Sequence, residues 1–182
     1  LSLKKDKVNV RYGPSLESPV KFVYKKINSK IKVNCYKIRL SKSNYSKIIK
    51  KYDYIVDGSD NFKTKFLIND FCKTYRKFLV SGAISKFDGH IFTFDFKNKN
   101  TPCIRSFFQE RKISDDILNC EYEGILGTVA GIIGTIQANE ILKKILNIGQ
   151  NLNGYILILD LLNLNFRKVK LNKIKNVKKN IS

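Results

Sequence analysis

Short apolar segments alternate with polar ones through the middle of the chain, and their spacing predicts strands and helices. Residues 54 to 56 form an apolar burst that stops at a polar loop, which is typical of a buried parallel strand. Apolar residues then recur at helical spacing over residues 62 to 75, and residues 78 to 80 predict the next strand. Residues 89 to 96 alternate as in one strand of an antiparallel pair. This order of elements predicts an α/β sheet.

The segment before this sheet contains further patterns. Residues 1 to 19 are polar and irregular. Residues 20 to 27 place apolar side chains at helical spacing, so we expect a helix there. Residues 31 to 40 alternate between apolar and polar, which predicts a strand that contains Cys35. Residues 43 to 51 predict a short helix.

The C-terminal part of the chain contains the longest helical pattern. Residues 98 to 119 show weak periodicity and predict a loop, whereas residues 124 to 146 predict a helix that Gly149 stops. Residues 155 to 159 and 164 to 171 predict two closing strands around a turn. No internal repeat or linker interrupts the sequence, so we expect a single domain over all 182 residues.

An excess of positive charge raises the question of nucleic-acid binding. The chain has 35 Lys and Arg residues against 15 Asp and Glu residues, a formal net charge of +20. The Lys residues are spread evenly apart from a cluster at residues 168 to 179, and Lys, Asn and Ile dominate throughout, as AT-rich codons produce. No aromatic and basic RNA-binding signature is present. We therefore do not predict nucleic-acid binding, and the positive field would also favour an acidic protein partner.

The cysteines and the apolar runs bear on the compartment. Cys35, Cys72, Cys103 and Cys120 are widely spaced and form no CxxC pair. This is not the disulfide framework of a secreted domain, so a reducing compartment fits best. No apolar run reaches the ~18 residues of a membrane span. We expect a soluble intracellular protein, in the cytoplasm of a bacterium with an AT-rich genome or in the stroma of a plastid.

The polar loop after residue 56 carries the most informative chemistry. It reads Asp57-Gly58-Ser59-Asp60-Asn61 and follows a predicted parallel strand, where ligands of open α/β sheets bind. A carboxylate there can hold Mg²⁺, which bridges ATP phosphates, and Asn61 can donate to a phosphate or a ribose. The alternative is that Asp57 and Asp60 only cap the following helix, whose N-cap is predicted to be Asp60 or Asn61. The spacing alone leaves both readings open.

Several motifs from Lys50 onward stand in one order along the chain. They are Asp57-Gly58-Ser59-Asp60-Asn61, Leu79-Val80-Ser81-Gly82-Ala83, Asp88-Gly89-His90, Pro102-Cys103-Ile104-Arg105, Gly124-Ile125-Leu126-Gly127 and Gln137-Ala138-Asn139-Glu140. In this order and spacing they resemble the MoeB/ThiF family of the ubiquitin-activating-enzyme-like superfamily. The resemblance implies a Rossmann-like activating-enzyme fold with a mixed sheet.

The resemblance also implies an activity. Family members use ATP and Mg²⁺ to adenylate the C-terminal Gly-Gly of a small ubiquitin-like sulfur-carrier protein, and a sulfur donor such as a sulfurtransferase follows. Molybdopterin biosynthesis is the pathway we favour. The alternatives are a sulfur carrier for the thiazole of thiamine, or a non-catalytic remnant that docks the carrier or dimerises. A homodimer is expected.

The site residues follow from the same resemblance. Asp60 takes the position of the catalytic Mg²⁺ ligand, and Asp60 with Asn61 would contact ATP-Mg. Cys120 takes the position of the active-site cysteine, which some members use covalently and others do not. Local charges of both signs leave a passive loop thiol as the alternative for Cys120.

The chain departs from the family pattern at three places. Cys103 resembles the first of four zinc ligands, but Ser106 replaces its CxxC partner and no Cys follows Cys120, so we expect the zinc site to be lost. The glycine-rich phosphate loop is absent, and Leu16 stands where the family has Lys. With no Met in the chain, we expect an incomplete sequence that lacks the N-terminal nucleotide loop and is inactive alone, or else a degenerate gene.

Overall fold

The computed structural model describes residues 7–11, 20–25, 33–108 and 125–171. The chain divides into two compact units, Leu1–Arg39 and Leu40–Ser182. In the first unit, strand β1 (Lys7–Arg11) pairs with strand β2 (Val20–Lys25) in antiparallel orientation.

Three predictions for the N-terminal part of the chain are wrong. Strand β1 lies in the segment predicted to be irregular, and β2 lies where the spacing predicted a helix. The sequence of β2 is rich in β-branched and aromatic residues, which favour strands, and β1 supplies the partner that periodicity alone does not reveal. Residues 33 to 40 form no strand, and Cys35 is exposed, although the alternation predicted a strand.

The second unit is built around a five-stranded sheet. Its elements in chain order are α1 (Tyr45–Ile49), β3 (Tyr54–Asp57), α2 (Phe62–Thr74), β4 (Phe78–Ser85), β5 (Asp88–Asp95), α3 (Ile104–Phe107), α4 (Gly127–Leu146), β6 (Tyr155–Asp160) and β7 (Asn165–Lys170). The strand order is β3-β4-β5-β6-β7, in which β3 and β4 are parallel and the other neighbours antiparallel. The predicted α/β fold with a mixed sheet is therefore confirmed.

Strand β4 is longer than its apolar burst predicted. The burst covers residues 78 to 80, but the strand continues to Ser85 because β5 pairs with it along its whole length, from Phe78 opposite Asp95 to Ser85 opposite Asp88. The hairpin turns at Lys86, whose φ of 48° lies in the left-handed region. Pairing with a neighbour thus extends a strand into residues whose own pattern does not demand one.

Helices cover both faces of the sheet. On one face, Phe71 of α2 packs in a cluster with Leu79 and Phe92 of the sheet. On the other face, Ile133 of α4 packs with Ile91 and its neighbours. The carboxyl ends of β3 and β4 therefore lie between two helix layers, with α2 beginning just after β3 ends.

Two motif glycines allow α4 to lie close to the sheet. A Cβ atom on Gly82 would come within 2.9 Å of Ile133 Cγ2 and of the Gln137 side chain, and one on Gly89 would overlap Ile133. Both glycines face α4 from neighbouring strands. Their physical role in this fold is close packing of a helix on a sheet.

The C-terminal predictions are largely confirmed. Helix α4 runs to Leu146, and Asn147, with φ 52°, forms its left-handed C-cap ahead of Gly149. Strands β6 and β7 form the predicted hairpin. The predicted loop beyond residue 97 contains the short helix α3. Among the described residues, no helix is long and apolar enough to cross a membrane.

Candidate active site

Asp57 closes β3 and is buried, with 2% of its surface exposed. Its Oδ1 accepts hydrogen bonds from the backbone N–H of Ser59 (2.9 Å) and from Ser59 Oγ (2.6 Å). Its Oδ2 accepts from Ser81 Oγ (2.6 Å), at the corresponding point of β4. Both carboxylate oxygens are thus engaged within the protein, which makes Asp57 a structural residue of the loop.

Lys65 and Gln137 complete this buried network from the two flanking helices. Lys65 of α2 is 3% exposed, and its Nζ lies 3.3 Å from Asp57 Oδ2 and donates to the Gly82 carbonyl. Gln137 of α4 donates from Nε2 to the carbonyls of Asp57 (2.9 Å) and Val80 (3.3 Å). The hydrophobic pattern missed Lys65, because a Lys in an amphipathic helix ordinarily faces solvent.

Asp60 and Asn61 lie at the start of α2 and have different roles. Asn61 is the N-cap, since its Oδ1 accepts from the backbone N–H of Thr64 (2.9 Å). Its Nδ2 donates to Asp60 Oδ1 (3.0 Å), and the Asp60 side chain is exposed. Of the two candidate caps, Asn61 caps the helix, and Asp60 remains an exposed carboxylate beside the helix N-terminus.

This arrangement suits a magnesium ion that is shared with phosphates. Mg²⁺ usually takes one or two protein carboxylates, with water and phosphate oxygens completing its shell. Asp60 supplies one exposed carboxylate at the carboxyl end of a parallel strand, and the N-terminus of the 13-residue helix α2 favours anions. Within the described ranges, no three or more His, Cys, Asp or Glu side chains are grouped so that they could hold a metal ion.

Cys103 lies beside one hydroxyl at the start of α3. The thiol is buried at the N-cap of α3, with its Sγ 3.9 Å from Ser106 Oγ. Asp70 of α2 accepts two hydrogen bonds from Arg105, at 2.8 and 2.7 Å, and Asn69 Oδ1 accepts from the backbone N–H of Ile104 (3.1 Å). Hydrogen bonds therefore dock α3 onto α2, and one thiol beside a hydroxyl is not the closed four-ligand set of structural zinc.

The thiols of Cys72 and Cys35 differ in exposure. Cys72 is buried on the apolar side of α2, and this burial, followed by the nearby charge of Asp57, raises the pKa of its thiol to about 12. Cys35 is exposed rather than held in a strand. Cys120 lies outside the described residues.

His90 is the only His residue of the sequence and lies within the sheet. It lies in β5, opposite Ala83 of β4, and is half-buried. Burial lowers the pKa of its imidazole, and the charge of Asp88 partly opposes this shift.

The site lies in a region of sequence that other proteins share. Residues 20–180 match the profile of the ThiF family. The chain belongs to the ThiF family. It is 37% identical over 147 residues to a protein of Gracilaria tenuistipitata var. liui named "Probable molybdopterin-synthase adenylyltransferase", covering 81% of this chain and 41% of that protein.

A second ThiF relative is the "Sulfur carrier protein adenylyltransferase" of Thermus thermophilus. It is 36% identical over 146 residues, which are 79% of this chain and 54% of the relative. The chain thus spans about half the length of these relatives.

Solved structures share the fold at low sequence identity. E. coli MccB with MccA superposes with a TM-score of 0.61 at 10% identity, over 78% of this chain and 43% of that one. E. coli MccB with ATP gives a TM-score of 0.59 at 13% identity, again over 78% of this chain and 43% of the other. These likenesses show that the fold is shared.

Proposed function

We propose that the full-length protein uses ATP and Mg²⁺ to adenylate the C-terminal Gly-Gly of a small ubiquitin-like sulfur-carrier protein. The observation that carries this proposal is the exposed carboxylate of Asp60 at the carboxyl end of β3, in a chain of the ThiF family. The relatives also support it, because one is named a molybdopterin-synthase adenylyltransferase and the other a sulfur carrier protein adenylyltransferase.

The residues of this chain would hold the metal ion and orient the groups around it. Asp60 would hold Mg²⁺, while Asn61 keeps the helix N-terminus in place through its cap on Thr64. When bound, Mg²⁺ would neutralise charge that develops on the pyrophosphate as it leaves. The N-terminus of α2 is the positive end of the helix dipole, and its position is fixed before a phosphate binds there.

Molybdopterin biosynthesis is the pathway that we propose for this activity. Two red-algal relatives, from Gracilaria and from Pyropia yezoensis, carry names that specify molybdopterin synthase, at 37% and 38% identity. A purified molybdopterin-synthase carrier and a thiamine-pathway carrier, offered in competition, would separate this proposal from the thiazole alternative. The same relatives support a plastid stroma as the compartment, with a bacterial cytoplasm as the alternative.

A homodimer is the assembly that we propose, with α4 at its interface. Gly131 and Gly134 of α4 have open space where a Cβ would stand, so close packing within the described chain does not account for them. Leu142, Ile145 and Leu146 of the same helix are exposed. Small residues and exposed apolar side chains on one helix are typical of a helix that packs against another chain.

Sulfur transfer is a further step that we propose for Cys120. Relatives from Drosophila virilis and Dictyostelium discoideum are named "Adenylyltransferase and sulfurtransferase MOCS3", at 35% and 38% identity. If this protein forms a covalent adduct, Cys120→Ala should impair sulfur transfer while adenylation continues, because the adenylate needs only the carboxylate tail, ATP and Mg²⁺. Normal sulfur transfer by that variant would show that Cys120 is a passive thiol.

Carrier-dependent exchange of pyrophosphate into ATP tests the proposed function in the full-length protein. Asp60→Ala should lower the exchange rate by at least ~10²-fold, the scale of losing one preorganised electrostatic contact. Asp53→Ala is the matched control, because Asp53 is an exposed carboxylate at the opposite end of β3. Near-normal exchange by Asp60→Ala would refute the Mg²⁺ role, and no exchange by the wild type would refute the function.

A further inference from the structure

Lys65 is a buried cation that contacts two neighbouring parallel strands, β3 and β4. Its Nζ reaches the Asp57 carboxylate at the end of β3 and the Gly82 carbonyl in β4. Lys side chains are rarely buried unless they are paired, because the charge loses its hydration. The pairing therefore accounts for how α2 tolerates this side chain, and it leaves open what the side chain does for the site.

One partner of Lys65, the Asp57 carboxylate, also holds the loop of the candidate site. Asp57 Oδ2 contacts Lys65, and Asp57 Oδ1 accepts from both the N–H and the Oγ of Ser59, two residues further along the chain. Ser81 contacts Oδ2 as well, at 2.6 Å, so both oxygens of the carboxylate are bound from different directions. Because both oxygens are bound, the carboxylate has one defined orientation, and its hydrogen bonds hold Ser59 in place.

Asp60 follows Ser59 directly and lies between two fixed residues. On one side, Ser59 is held by Asp57; on the other, Asn61 is held by its cap on Thr64. The backbone of Asp60 is therefore held on both sides, and its carboxylate also accepts from Asn61 Nδ2 (3.0 Å). The contacts on the Ser59 side begin at Lys65. Reactive groups must be placed closely, since a 1 Å displacement can cost roughly 10²-fold in rate.

We propose that Lys65 is a positioning residue that sets the orientation of Asp60 through Asp57 and Ser59. This inference rests on the proposed function, in which Asp60 serves the adenylation site. Lys65 does not contact the substrate or the nucleotide in this role. It holds the Asp57 carboxylate, which binds Ser59, the residue directly before Asp60.

The test compares Lys65→Met, which keeps the length and removes the charge, with Lys65→Arg, which keeps the charge. Lys73→Met is the matched control, because Lys73 is exposed in the last turn of the same helix, away from the candidate site. In Lys65→Met we expect kcat of carrier-dependent exchange to fall roughly 10-fold to 100-fold with the KM for the carrier unchanged. Lys65→Arg should recover most of the rate, and Lys73→Met should match the wild type.

A second measurement does not depend on activity. Amide hydrogen exchange at Ser59, whose N–H binds Asp57, should become about tenfold faster in Lys65→Met, the scale of one weakened hydrogen bond. Exchange in the β5–β6 pair should stay at the wild-type rate. If Lys65→Met does not fold, Ser59→Ala tests the same link, since it removes the 2.6 Å contact to Asp57 without leaving a buried charge.

The outcomes separate this proposal from the proposed function. Wild-type kcat together with unchanged Ser59 exchange in Lys65→Met would overturn the positioning role, and so would a loss of rate that Lys65→Arg does not recover. If the wild-type protein shows no carrier-dependent exchange, the proposed function fails. The amide exchange of Ser59 then decides by itself whether Lys65 holds the loop.

Discussion

Replacing Gly89 by Ala should destabilise the second unit. A Cβ atom on Gly89 would overlap Ile133 Cδ1 and lie 2.8 Å from Ile133 Cγ1, and 3.8 Å from Leu159 Cβ. Ile133 is 2% exposed and is packed in the core under α4, so it has little space into which to move. Overfilling a packed core costs about 1–3 kcal/mol.

Part of this cost is offset in the unfolded chain. Ala has less backbone freedom than Gly, which contributes about 0.4–1 kcal/mol in favour of the folded state. The net loss in the free energy of unfolding is therefore about 1–2 kcal/mol. With a urea m-value of about 2 kcal/mol per M, the midpoint of unfolding should fall by about 0.5–1 M.

Far-UV circular dichroism in urea is the suitable assay, since the chain has no Trp to report by fluorescence. Gly58→Ala is the control: nothing lies within 4 Å of a Cβ at that position, so its midpoint should stay the same or rise slightly. Ile133→Val removes the overlapping methyl group. Alone, Ile133→Val should lower the free energy of unfolding by about 0.5–1.5 kcal/mol. The loss in the double variant Gly89→Ala/Ile133→Val should be smaller than the sum of the two single losses.

Two results would refute this reasoning. An unchanged midpoint in Gly89→Ala would show that α4 does not lie as close to β5 as described. Additive losses in the double variant would show that Ile133 is not the side chain that meets the new methyl group.

Other predictions address the helix termini, the thiols and the interface. Asn61→Ala should lower the free energy of unfolding by about 1 kcal/mol through loss of the cap, and Asn61→Ser should restore it; no difference between the two variants would contradict the cap. Cys35 should react with iodoacetamide at neutral pH well before Cys72, as peptide mass spectrometry would show. Since burial raises the pKa of Cys72 from 9.0 to about 12, its contribution to stability is complete below pH 9.0 and is lost as pH rises toward 12; Cys72→Ala should flatten this loss in urea titrations. Elemental analysis of the purified protein should find far less than one zinc per chain, and a stoichiometric, chelator-resistant zinc would contradict the reading of Cys103. Gly131→Leu should convert the proposed dimer to a monomer in light scattering with the fold retained, and a dimer that persists would exclude α4 from the interface.

Local patterns were sufficient for much of the second unit. The apolar burst of β3, the helical spacing of α2 and the alternation of β5 each predicted the element that the structure contains. The cap at the start of α2 was predicted as Asp60 or Asn61, because short polar side chains satisfy the first N–H groups of a helix. These features depend on residues within a few positions of one another, so the sequence determines them by itself.

Features that depend on distant residues were decided only by the tertiary structure. Strand β2 was predicted as a helix because its strand partner β1 is not visible in its own periodicity. Cys35 was placed in a strand by alternation alone, although residues 33 to 40 form none. The roles of Gly82 and Gly89 became clear only from the approach of Ile133.

The candidate site divides in the same way. Asp60 and Asn61 could be found from a motif, because the polar loop directly follows an apolar strand. Lys65 could not be found, because a Lys in an amphipathic helix carries no mark that it is buried. Its charge is tolerated only where folding brings it to a carboxylate eight residues earlier and to a carbonyl on the neighbouring strand. Burial of a charge depends on which groups the fold places around it, and no local pattern specifies those groups.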